Sequence, residues 1–261
     1  MKTLNLLLIT FAFIFFVACG KKDQTGTTGE AIKFKVKEVL KSYKDCKPDP
    51  QNCSYFRMKY PDAIEGKVKD TINPFITKHL LSIYNTEEKK YNDLRSMSIG
   101  FIESYTEFKK KEPASTQNWY LDVEVTEAFK SPKILTLKYN TNRFEGGEHP
   151  LNTVNYYSFN LDNGALLSVS SLLKKDFAKD LNKLIDKKFR EMKKLGEKDD
   201  LTKAELLKNE IAYTENFAIT NDGLEFNYNA AEIAPYSEGA IIIKLNKEEL
   251  KNLLAEDSLL K

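Results

Sequence analysis

Histidine is almost absent from this 261-residue chain, which has two, His79 and His149, and cysteine is scarce, with three. Two histidines without further ligands at metal-binding spacing make no zinc site, and the His-Glu-x-x-His pattern is missing. There is no Gly-x-Ser-x-Gly nucleophile elbow and no phosphate-binding glycine loop. No metal or cofactor is therefore expected. Neither sign of charge prevails, since 40 basic and 38 acidic residues give a net of +2, which offers no electrostatic case for a nucleic-acid partner. After residue 18, no apolar run approaches the roughly 20 residues that a membrane-spanning helix needs. Hydrophobic residues nevertheless make up 41% of the chain, enough for a buried core.

The N-terminus has one basic side chain, Lys2, then an apolar stretch from Leu4 to Ala18 broken only by Asn5 and Thr10. That length suits the core of a signal peptide. The stretch ends in Phe16-Val17-Ala18-Cys19-Gly20, which resembles the lipobox of bacterial lipoproteins. Residues 1–18 are thus expected to be a removable signal peptide and Cys19 the lipid-modified first residue of the mature protein. An ordinary secretory signal or an uncleaved anchor is the alternative. Residues 19–30 are polar and glycine-rich, as a flexible tether should be. This predicts a lipoprotein of the cell envelope, facing periplasm or cell surface and held to the membrane through Cys19.

With Cys19 assigned to lipid, Cys46 and Cys53 form an even pair in an oxidising compartment, which predicts a disulfide. A redox or metal-binding pair would need Cys-x-x-Cys spacing or more ligands. Alternation over residues 32–37 and 53–60 reads as two strands joined by the cystine loop. Apolar spacing predicts helices within residues 62–83, interrupted near Pro74, and from Glu87 to Lys111. Residues 119–126, 134–140 and 154–161 alternate as three strands of an antiparallel meander. Phe177 to Met192 forms an amphipathic helix, and residues 202–212 read as another. A hairpin follows around Thr220-Asn221-Asp222-Gly223, then a strand over 240–245 and a helix over 247–254. The fold class is α+β, with antiparallel sheets, helices packed on one side and two lobes, residues 31–112 and 113–261, that meet at the charged seam Lys109–Pro113.

One cluster combines unusual chemistry. Gly146-Gly147-Glu148-His149-Pro150 joins two strands of the meander, pairing glycines that permit positive φ with a carboxylate and an imidazole. A wide turn with geometric glycines is the plain alternative, as a packed or surface histidine is for His79. Together with Tyr156 to Leu161, Asn163-Gly164, Phe217 to Phe226 and Glu232-Ile233-Ala234-Pro235-Tyr236-Ser237-Glu238-Gly239, this cluster resembles the extracellular domain of RsiV-type anti-sigma factors. The cysteine pair, Tyr60-Pro61 and the helix at Ile72-Asn73 resemble the non-catalytic module that precedes such domains in envelope lipoproteins and in PdaC-type peptidoglycan deacetylases.

The resemblance implies binding by a domain of otherwise unknown function. In RsiV the domain senses lysozyme, but the transmembrane helix and cytoplasmic segment that signal to a sigma factor have no counterpart here, nor does the deacetylase catalytic domain. The expected function is a non-enzymatic, lipid-anchored binding protein whose partner is a cationic protein such as lysozyme or a cell-wall component. Gly146–Pro150, Glu232, Tyr236 and Glu238 are the candidate binding residues. Charge supports a cationic partner: residues 174–198 hold ten basic and five acidic side chains, and residues 205–257 hold four and eleven. Two rivals stand beside it. One is an envelope glycan or ester hydrolase using Glu148 and His149, which requires a concave pocket with a further carboxylate. The other is a structural lipoprotein without a small ligand.

Overall fold

A computed structural model describes residues 31–261. The expected signal peptide, Cys19 and the whole tether, residues 19–30, lie outside the described residues. Among the described residues, no helix is long and apolar enough to cross a membrane.

The described residues begin with a hairpin, β1 (Lys33–Ser42) and β2 (Tyr55–Glu65), paired antiparallel from Lys33 opposite Glu65 to Ser42 opposite Tyr55. The Cys46–Cys53 disulfide closes its loop, with the two Cα atoms 5.8 Å apart, as the cysteine count predicts. Two helices follow. In α1 (Lys69–Ser82) the helix runs on through Pro74, and the Asn73 amide clamps the backbone of Ala63 through bonds of 2.8 and 2.9 Å. Helix α2 (Leu94–Lys111) starts later than the apolar pattern suggests, because Asp93 caps it by accepting from the Ser96 amide.

The expected meander is present as β3 (Tyr120–Lys130), β4 (Ile134–Phe144) and β5 (Leu151–Asn160), followed by a short β6 (Leu166–Leu167). All six strands form one sheet in sequence order. One pairing is parallel, β2 on β3, with Arg57 opposite Asp122. The physical cause is the crossover: α1 and α2 carry the chain back over the sheet, so β3 starts at the same end as β2. The charged seam at 109–113 is therefore the end of that crossover, and the sheet continues across it.

One face of this sheet, including Phe56, Met58, Leu121, Val123, Leu137 and Phe159, packs on Ile72, Ile76 and Leu80 of α1 and on Met97 and Phe101 of α2. His79 sits in this region, edge-on to Tyr139 at 4.8 Å and Tyr157 at 4.4 Å, as a packed histidine. Burial lowers its pKa below the ordinary 6.5. Between the lowered value and 6.5 the unfolded chain binds a proton that the fold refuses, so stability falls as pH drops below about 6.5. Replacing His79 by Phe should shrink the loss of urea midpoint between pH 7.5 and 5.5, and an identical loss would rule the residue out as a contributor.

The second core is built on α3 (Val169–Leu172), α4 (Ala178–Lys193), the antiparallel sheet β7 (Phe217–Ile219), β8 (Gly223–Tyr228) and β9 (Ile241–Asn246), and α5 (Lys247–Leu250). Leu181, Ile185 and Phe189 recur every four residues on α4 and meet Phe226, Ile243 and Leu245. The helix expected over 202–212 does not form. Its buried residues, Leu201, Leu206 and Ile211, are spaced by five, and a helix would have turned Lys208 inward with Leu201. Instead one 3-10 turn, Leu201–Ala204, ends at Glu205 with φ of 63°, and residues 210–214 adopt no regular structure. The closing helix is likewise a single turn, Lys247–Leu250.

Asparagines tie the second core to the first. Asn229 Oδ1 accepts from the Val154 amide at 2.7 Å and Asn216 Oδ1 from the Tyr156 amide at 3.0 Å. The amides of Asn216 and Asn227 donate to the Val154 carbonyl at 2.8 and 2.9 Å. The edge of β5 beyond β6 is thus paired by side chains.

Candidate functional site

The segment 145–150 is the turn between β4 and β5. Gly146 and Gly147 have φ of 94° and 106°, which explains both glycines by backbone conformation. Crowding plays no part, because a Cβ on Gly147 would meet nothing within 4 Å. Glu148 and His149 are exposed at the tip, and Pro150 is half-buried.

The structure brings the turn together with one of the C-terminal candidates. The Tyr236 ring lies parallel to the His149 ring, with centroids 5.5 Å apart and planes at 9°, and its hydroxyl donates to the Pro150 carbonyl at 3.0 Å. Tyr236 sits in a 3-10 turn, Tyr236–Glu238, seven residues after Asn229, which is tied to Val154, the fourth residue of β5. Behind it, burial raises the Tyr120 phenol, with Tyr236 close enough to add to the effect. Tyr120 in turn neighbours Phe144 at 6.0 Å and Tyr55 at 6.0 Å, and these three rings bury Cys53 of the disulfide. The cystine loop therefore backs the platform on which His149 and Tyr236 stand.

An ion pair fixes the next strand positions. Arg57 grips Asp122 through two bonds, 2.9 and 2.6 Å, and the Tyr55 hydroxyl donates to the same carboxylate at 3.0 Å. Burial and the Asp122 charge raise the Tyr55 phenol well above its usual range. Tyr55, Arg57, Tyr120, Asp122 and Phe144 were not among the sequence candidates. The outward alternation of β2 and β3 marks these positions, but their adjacency depends on the parallel register.

The other two candidates lie elsewhere. Glu238 pairs with Lys193 of α4 at 2.8 Å, and Glu232 accepts from the Asn229 amide at 2.8 Å while lining a separate groove along α4. The expected acidic C-terminal surface is partly neutralised in the same way, since Lys188 of α4 also holds Glu249 at 2.6 Å. Among the described residues no group of three or more His, Cys, Asp or Glu side chains could hold a metal ion.

Residues 48–152 match the family described as "Deacetylase PdaC", and residues 170–248 match a "Protein of unknown function (DUF3298)". The chain thus carries a DUF3298-like domain preceded by a PdaC-like module, in agreement with the resemblance seen in its motifs. Two crystal structures share the fold. A DUF3298 family member from Bacteroides fragilis is 20% identical, with 88% of this chain and 96% of that one covered and a TM-score of 0.70. A DUF3298 family protein from Pseudomonas aeruginosa is 14% identical, with 88% and 97% covered and a TM-score of 0.67. No curated protein matches the chain at a significant level.

Proposed function

We propose that this is a lipid-anchored cell-envelope binding protein that acts without catalysis, recognising a lysozyme-like protein or a cell-wall component through the Gly146–Pro150 turn and Tyr236. The observation that carries this reading is the exposed His149–Tyr236 stack, pinned through Pro150 and backed by the Tyr120 cluster. A preorganised tyrosine is the kind of anchor on which binding energy concentrates. Glu148 adds an exposed carboxylate with no hydrogen bond or ion pair among the described residues, suited to a cationic partner or a hydroxyl-rich glycan. The lipid anchor rests on Cys19 and its preceding sequence.

The hydrolase reading has less support. Glu148 and His149 stand on an exposed tip, and neither hydrogen-bonds or ion-pairs with a second carboxylate among the described residues, so an acid–base pair around a substrate is lacking. Calorimetric titration of the full chain in non-ionic detergent with lysozyme and with soluble peptidoglycan fragments tests the proposal. One of the two should bind, and Tyr236→Ala should weaken it roughly tenfold or more. Absence of heat with both, or an unaffected Tyr236→Ala variant, would remove the basis for this site.

A further inference from the structure

A groove with a volume near 1110 Å³ lies away from the turn, between α4 and residues 208–214. The two walls run antiparallel: the Asn182 side chain accepts from the Tyr213 amide at 2.9 Å near the start of α4, and Asn209 accepts from the Leu201 amide at 2.8 Å beyond its end. Between these two ties the wall of residues 209–212 is unusual. Among the described residues the backbone amides of Asn209, Glu210, Ile211 and Ala212 donate to no acceptor, and only the Ala212 carbonyl is engaged, by the Tyr228 hydroxyl. A groove wall with free backbone donors and acceptors is what an extended chain pairs with when it adds itself to a protein.

Charge is polarised along the groove. Lys179, Lys183 and Lys187 repeat every four residues on one side of α4 towards its start; of the two acids among them, Asp186 is held by Arg190 at 2.7 Å and Asp180 pairs with Lys183 at 3.1 Å, which leaves Lys179 and Lys187 to carry the positive end. Lys179 has no ion pair among the described residues, and Lys187 only a loose one to Glu191 at 3.9 Å. Towards the other end Glu191, Glu197 and Glu210 outnumber Arg190 and Lys208. The floor between them is apolar, formed by Ile211, Ile233 and Leu195. From Lys179 to Arg190 the helix spans roughly 16 Å at about 1.5 Å per residue, a length that about five residues of extended chain cover.

We propose that this groove binds a short extended peptide carrying carboxylates at one end, over the α4 lysines, and an ammonium group at the other, over the glutamates. A purely anionic polymer or lipid surface would meet repulsion at the acidic end, and a purely cationic one at the lysines. The site is separate from the His149–Tyr236 stack, so each can stand or fall without the other.

The test is calorimetric titration of the full chain in non-ionic detergent with the pentapeptide Lys-Ala-Ala-Glu-Glu, its termini free, at low and moderate salt. The expected affinity is modest, on the order of 10–100 μM, and decreases with salt. The double substitution Lys179→Glu and Lys187→Glu, at two exposed positions, should weaken it at least about tenfold, while His149→Ala leaves it unchanged. No heat up to millimolar peptide, equal binding by the double variant, or equal binding of the all-cationic control Lys-Ala-Ala-Lys-Lys amide would each overturn the proposal.

Discussion

Replacing Gly223 by alanine should lower the stability of the fold by about 3–5 kcal/mol, the combined scale of a left-handed backbone penalty and a steric clash that cannot relax. Gly223 opens β8 with φ of 155°, and a Cβ there would lie 2.2 Å from the Leu245 carbonyl oxygen and 3.0 Å from two backbone atoms of Asn246. These are backbone atoms in the neighbouring strand, and they are doubly held. Gly223 is paired opposite Asn246 in the β8–β9 register, and Asn246 caps α5 in a reciprocal box with Glu249. The Lys247 amide also donates to the Asp222 carbonyl at 2.7 Å. Relief would require moving β9 away from β8 and opening the core around Phe226 and Leu245. Urea unfolding followed by circular dichroism measures the effect, and a loss below about 1 kcal/mol would show that β9 yields more easily than this packing implies.

Removing the disulfide, by reduction or by changing Cys46 and Cys53 to serine, should cost about 2.5 kcal/mol if chain entropy of the closed loop governs. The enclosed segment has hydrogen bonds of its own. Asp49 accepts from the Gln51 amide and the Asn52 side chain, and its carbonyl accepts from the amides of Asn52 and Cys53. These keep a turn in place, so loss of the bridge should leave the hairpin folded but easier to open. Because Cys53 packs against Tyr55 and Tyr120, the same change should loosen the platform beneath Tyr236 and reduce partner affinity. Denaturation midpoints with and without reducing agent decide this. An unchanged midpoint would mean that the Asp49 turn alone sets the geometry.

The two-residue alternation in β3, β4 and β5 made the meander readable, because one face packs on helices and the other does not. The cystine hairpin was readable for another reason, the parity of cysteines once Cys19 is set aside. Alternation is silent on which strand lies beside which, and so the parallel β2–β3 pairing, with Arg57 on Asp122, was not legible. The stretch 202–212 misled because Ala204, Glu205, Leu206, Leu207 and Lys208 are strong helix formers individually, while tertiary packing selected every fifth residue for burial. At the site, the turn and Tyr236 were each singled out by motif. Their contact joins residues 86 apart and follows from the asparagine ties, which have no signature in spacing. The groove along α4 was invisible for the same reason as the missing helix that forms its wall.

Those asparagine ties have a consequence for how molecules of this protein behave when crowded together. An exposed strand edge is a template on which a second copy can polymerise. Asn216, Asn227 and Asn229 occupy the Val154 and Tyr156 positions of that template with side chains, which cannot propagate a ladder into another molecule. Among the described residues β1 is the opposite margin, and Lys33, Lys35, Lys37 and Lys41 repeat along it, the first three paired with Glu65 and Asp62 of β2. One margin of the long sheet is plugged by side chains and the other is lined with charged pairs, both of which disfavour strand addition by a second copy at high local density.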